Sequence, residues 1–145
     1  MAKVLKQYTI RKLREPTDKE LDKDIEWVCN SLGFISSRDQ DKTALKILKA
    51  LVQASKEGAG MTSEELARIV EPTVGSVIYH LKKLTKAGLV VKMGSAYELR
   101  MSSLFTTIDE IRKDIEMTLN GIKKIAIDID NHIGLEHRPM EARGF

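Results

Sequence analysis

The sequence predicts a mainly α chain of the α+β kind, with several helices, one small hairpin of strands and a single long helix near the C-terminal end. Three observations carry this. Between residues 18 and 86 apolar side chains recur at spacings of three and four in separate stretches, the period of a helix. The stretch LVVKMGSAYELR, residues 89–100, places two short apolar runs either side of a glycine turn, the pattern of a hairpin. From Ser103 to about His132 no proline intervenes, and Leu104, Ile108, Ile111, Ile115, Thr118, Ile122, Ile125 and Ile129 alternate spacings of four and three.

Each element follows in chain order. Residues 3–13, KVLKQYTIRKL, lack a helical stripe, so a short strand or an extended basic arm is expected. Thr17 followed by Glu20 has the form of a capping box for a helix over 18–32, with Leu21, Ile25, Val28 and Leu32 as its stripe and Gly33 as its stop. The polar stretch 36–42 is a linker whose Asp39 or Asp41 would cap the next helix, at 42–56. There Leu45, Ile47, Leu48, Leu51 and Val52 form the core set. After KEGAG, Thr62 and Glu65 suggest a second capping box, with Leu66, Ile69 and Val70 facing inward and VEP closing the helix. Thr73 caps a further helix that ends at Lys86-Ala87-Gly88. Strands at 89–93 and 96–100 flank the turn Gly94-Ser95. The last helix, about 30 residues, would be about 45 Å long, and its seam calls for a partner. The organisation is therefore an N-terminal arm and helix (1–42), a central domain (43–100), a long helix (101–133) and a tail (134–145).

Net charge is only +3, but it is unevenly spread. Residues 1–14 carry +5 with no acid, and residues 72–100 carry +4, while residues 15–42 carry −4. Two basic segments in an otherwise acidic or balanced chain point to a side that faces a polyanion. The single cysteine, Cys29, excludes an intrachain disulfide and fits a reducing compartment. No apolar run is long enough to span a membrane, so a cytoplasmic protein with no membrane partner is expected.

The helix at 73–86 is the most informative. Val74, Val77, Ile78, Leu81 and Leu84 share one stripe. The opposite side carries Ser76, Tyr79 and Lys83, flanked by Gly75, Lys82 and Lys86, with no carboxylate. A solvated helix face normally mixes signs.

The order helix, short helix, tight turn, helix, hairpin is that of a winged helix-turn-helix. MTSEELARIVEPTVGSVIYHLKKLTKAGLVVKMGSAYELR resembles the DNA-binding core of ArsR/MarR-type regulators, particularly archaeal ones, in its SEELA, TVGSVIYHLKKL and KAGLV segments and its glycine-turn wing. The resemblance covers roughly residues 43–100. It implies a transcriptional regulator, not an enzyme, that acts as a homodimer on double-stranded DNA, with the long helix as the dimerisation element.

The chemistry of the residues fits. A helix enters the major groove. Thr73 sits where a helix N-terminus favours phosphate. Ser76, Tyr79 and Lys83 would face the duplex, with His80 at the edge of that face and Lys82 and Lys86 beside it. Lys92, Ser95 and Arg100 would put charge in or beside the wing, and the N-terminal arm could add phosphate contacts. Leu104, Ile108, Ile111, Ile115, Leu119, Ile122, Ile125 and Ile129 would form the dimer seam. Competing readings are a winged-helix protein-assembly module, a low-specificity chromatin-type binder, a Tyr79 packed on the wing, an N-terminal strand that completes the dimer, and a long helix packed on its own domain.

No metal or other cofactor is expected. Asp130 and His132, near Glu136 and His137, resemble half of the C-terminal-helix metal site of some ArsR-type sensors, but the second half is missing. Cys29, beside Trp27 and Val28, fits a small core residue better than a redox sensor. There is no phosphate-binding glycine loop, His-Glu-x-x-His or nucleophile elbow.

Overall fold

A computed structural model describes residues 3–34, 42–70 and 73–135. Its elements are α1 (Leu21–Ser31), α2 (Thr43–Ser55), β1 (Met61–Thr62), α3 (Ser63–Val70), α4 (Val74–Lys86), β2 (Val90–Met93), β3 (Ala96–Leu99) and α5 (Leu104–Ile133). The chain divides into two compact units, residues up to Ile111 and residues from Arg112 on, so the first two turns of α5 belong to the first unit.

The core of the first unit is built by the stripes that the spacing defines. Ile47, Leu48 and Leu51 of α2, Leu66 of α3, Val77, Leu81 and Leu84 of α4 and Leu89 and Val90 at the wing are all fully buried. Ile25 and Cys29 of α1 join them, so the lone thiol is a core side chain. Three expected core residues lie outside. Ile69 is 59% exposed because α3 has only two turns and buries its Leu66–Val70 edge; Leu21 and Val74 are exposed because each is the first residue of its helix.

The caps decide where the helices begin. Thr62 and Glu65 form the expected reciprocal box: the Glu65 N–H donates to Thr62 Oγ1 at 3.1 Å, and the Thr62 N–H donates to Glu65 Oε1 at 3.2 Å. Thr73 Oγ1 accepts from the Ser76 N–H at 3.2 Å. The box expected at Thr17 and Glu20 does not form. Glu20 itself is the N-cap of α1, its side chain makes no cap hydrogen bond, and the helix starts at Leu21, not residue 18. Asp39 and Asp41 fall outside the described residues; the N-cap position of α2 is held by Lys42 in the left-handed region (φ 52°).

The wing is the antiparallel pair β2–β3, with Val90 opposite Leu99 and Met93 opposite Ala96. Gly94 takes a positive φ of 64° at the turn, as a tight hairpin requires. A third strand, β1, joins the far edge of β3 by pairing Met61 with Tyr97 and Thr62 with Ala96, giving the order β1-β3-β2.

Among the described residues, the N-terminal arm forms no helix or strand and joins no sheet. It is fixed at two points near the end of α1. The Arg11 N–H donates to the Ser31 carbonyl at 2.7 Å, and the Trp27 indole N–H donates to the Arg14 carbonyl at 2.9 Å. Gly33 (φ 77°) lets Thr9 approach so closely that an added Cβ would stand 2.8 Å from Thr9 Cγ2.

At the start of α5, Ser103 Oγ accepts from the Thr106 N–H at 3.1 Å, and the fully buried Thr107 accepts from the Met101 N–H at 3.0 Å. Ile111 is buried in the first unit, and Leu104 and Ile108 are half-buried. Beyond Ile115, Leu119, Ile122, Ile125, Ile129 and Ile133 are all exposed. Thr118, the polar break in the seam, bonds back to the Asp114 carbonyl at 3.1 Å. No described helix is long and apolar enough to cross a membrane.

Candidate nucleic-acid interface

The site is the outward side of α4 with the adjoining wing. Burial of Val77, Leu81 and Leu84 fixes the rotation of α4 about its axis, so the residues half a turn away must point to solvent. Thr73, Gly75, Tyr79, Lys82, Lys86, Lys92 and Ser95 are exposed, and Ser76 and Lys83 are half-buried. Tyr79 is 59% exposed, so it is not packed on the wing.

Two contacts organise this face. The Lys83 Nζ stands 5.4 Å from the centre of the Tyr79 ring, one turn back on α4. The Lys92 Nζ stands 5.6 Å from the centre of the Tyr97 ring across the β2–β3 pair. In each case an aromatic ring supports an ammonium group without neutralising it. Among the described residues, Lys82, Lys83, Lys86 and Lys92 make no ion pair, whereas Lys23, Lys42 and Lys49 in the first unit are each paired with a carboxylate. The face therefore keeps its full positive charge.

Two further expected contributors make contacts within the first unit. His80 is half-buried, with its ring edge-on to Tyr79 at 5.2 Å and 76°. Arg100 pairs with Glu110 of α5 at 3.8 Å, and both side chains are mostly covered, so its charge is offset within the domain. Its N–H also donates to the Leu89 carbonyl at 3.0 Å, which ties the end of the wing to its beginning. Met93, which the sequence reading passed over, is 61% exposed at the wing tip beside Lys92. Its place next to the turn glycine was the available signal.

The N-terminal arm presents Lys3, Lys6, Arg11, Lys12 and Arg14, all exposed and none in an ion pair among the described residues. No cluster of three or more His, Cys, Asp or Glu side chains able to hold a metal ion occurs among the described residues. Glu136 and His137 lie outside them.

Residues 40–92 match a protein family described as a helix-turn-helix domain. The match runs from just before α2 into β2 and takes in the whole of α3 and α4. No curated protein and no solved structure matches the chain. With the β2–β3 hairpin, this stretch is a winged helix-turn-helix, and it supports a DNA-binding regulator.

Proposed function

We propose that the protein is a sequence-specific, homodimeric transcriptional regulator that sets α4 in the major groove of double-stranded DNA and rests its wing on the phosphate backbone. The observation that carries this is the outward face of α4, where Ser76, Tyr79, Lys82, Lys83 and Lys86 stand together with no carboxylate and no internal ion pair. At 13 residues, α4 is about 20 Å long, a length that lies along a groove about 12 Å wide.

In this reading the contacts divide by type. Thr73 and the first-turn amides of α4 meet phosphate. Ser76 and Tyr79 reach base edges, with Tyr79 able to place its ring on a thymine methyl or its hydroxyl on an acceptor. Lys82, Lys83, Lys86 and Lys92 supply counterion release, and Ser95 a neutral backbone contact. Arg100, paired with Glu110, holds the wing to the domain and adds less charge to the face than these lysines. The exposed apolar row of α5 pairs with the same row of a second copy, so that two α4 helices meet a roughly palindromic site about one helical turn apart.

Fluorescence anisotropy of a labelled random-sequence duplex, repeated over a salt series, tests the reading. Binding in the micromolar range with a steep negative log–log salt slope is expected, weakened strongly when Lys83 and Lys92 are both replaced by Ala. Failure to bind even at low salt would overturn it and leave the fold as a protein-assembly module.

A further inference from the structure

The second unit is a helix whose apolar surface is wider than one partner helix covers. In heptad positions, Ile108, Ile115, Ile122 and Ile129 fall at a, and Leu104, Ile111, Thr118, Ile125 and His132 at d. A third column runs beside them at e: Phe105, Leu119, Ala126 and Ile133, interrupted only by Arg112. Within the second unit, Leu119 and Ile133 of this column are 52% and 70% exposed. Columns a, d and e together span about 100° of the helix, the width of a face that enters a bundle core, whereas a two-stranded coil uses a and d alone.

Two further observations agree. A two-stranded parallel coil is usually fixed by opposite charges between g and e′. Here that arrangement would set Asp114 against Leu119, Gly121 against Ala126 and Asp128 against Ile133, leaving apolar side chains at a wet rim beside carboxylates. The a/d seam of the second unit is also thin. It holds Ile115, Ile122, Ile125 and Ile129, with Thr118 and His132 at the remaining d positions, and isoleucine at both a and d favours more than two strands.

We infer that α5 assembles with three further copies of itself into a four-helix bundle, making the protein a tetramer in which the e column closes a dimer of dimers. This rests on the homodimer reading above. Such a tetramer carries four copies of α4 and holds two DNA segments at once.

Sedimentation velocity of the full chain, from low to high micromolar concentration, tests the inference. A species of about 65 kDa, four times the 16.3 kDa chain, is expected. The variant Ala126→Lys with Ile133→Lys, two e positions outside the dimer seam, is expected to sediment as a dimer of half that mass, with unchanged far-UV circular dichroism and unchanged affinity for a single short duplex. A wild-type dimer at every concentration overturns the tetramer and leaves the dimer standing; a monomer overturns both. A variant that stays tetrameric overturns the role given to the e column.

Discussion

Lys83 and Tyr79 are one helical turn apart on α4, with the ammonium nitrogen 5.4 Å from the ring centre, so the most exposed aromatic of the helix-turn-helix and one of its uncompensated cations form a single unit. The ring limits the lysine's rotamers, and less side-chain entropy is lost when that charge docks on a polyanion.

The pair separates charge from shape. Lys83→Ala is expected to weaken binding to specific and random duplexes alike and to reduce the salt slope by about 0.9. Tyr79→Ala is expected to cost about 1–3 kcal/mol on the specific site and much less on random DNA. Tyr79→Phe, which keeps the ring under Lys83, should lose only the share owed to the hydroxyl. Equal losses on both duplexes for Tyr79→Ala would show that Tyr79 carries no sequence information.

Thr73→Ala removes the acceptor of the Ser76 N–H. It is expected to lower stability by about 1 kcal/mol, read as a lower midpoint in urea with unchanged slope. Thr73→Ser and Thr73→Asp should retain the cap. The aspartate should nonetheless bind DNA more weakly than the serine, because it puts a negative charge where phosphate would sit.

Gly33→Ala meets two obstacles, a φ of 77° and a Thr9 Cγ2 at 2.8 Å. A loss of about 1–3 kcal/mol is expected by urea titration. Adding Thr9→Ala should recover the steric share but not the backbone share. Full recovery in the double variant would mean that the left-handed backbone costs nothing there.

Ile122→Asp puts a carboxylate on the exposed row of α5. It is expected to give a monomer in light scattering, with the helix-turn-helix still folded and affinity for a palindromic site reduced by more than tenfold. A variant that remains associated would exclude this row as the dimer contact.

The helices of the central domain were legible because each buries one stripe, and burial of a stripe is what spacing encodes: Leu48, Leu66, Val77 and Leu81 are core for that reason. The caps at Thr62 and Thr73 were legible because a hydroxyl three residues before the amide it accepts leaves a local signature. The features that escaped are non-local. Strand β1 has two residues, too few for any period, and exists only because β3 comes to meet it. Arg100 has the composition of a DNA contact, but Glu110 takes its charge from ten residues away. Thr17 and Glu20 have the spacing of a capping box, yet the chain around them is held by Trp27 and Arg14 and enters the helix later. Of the candidate site, the charge pattern on α4 and the Tyr79–Lys83 spacing of four could be read from the chain, whereas the ring under Lys92 required the strand register.

The pairing of Met61 with Tyr97 and Thr62 with Ala96 has a mechanical result. Those two residues lead directly into α3, so the hairpin is spliced to the root of the helix-turn-helix by backbone hydrogen bonds, and the Arg100–Leu89 bond closes the other side. A wing held at both margins has little freedom to swing as a flap. On the proposed reading, the distance between Lys92 and the face of α4 would then act as a fixed gauge, and a duplex whose groove did not match it would have to deform to fit. Selectivity would thereby extend to the local stiffness of DNA at positions that no side chain touches.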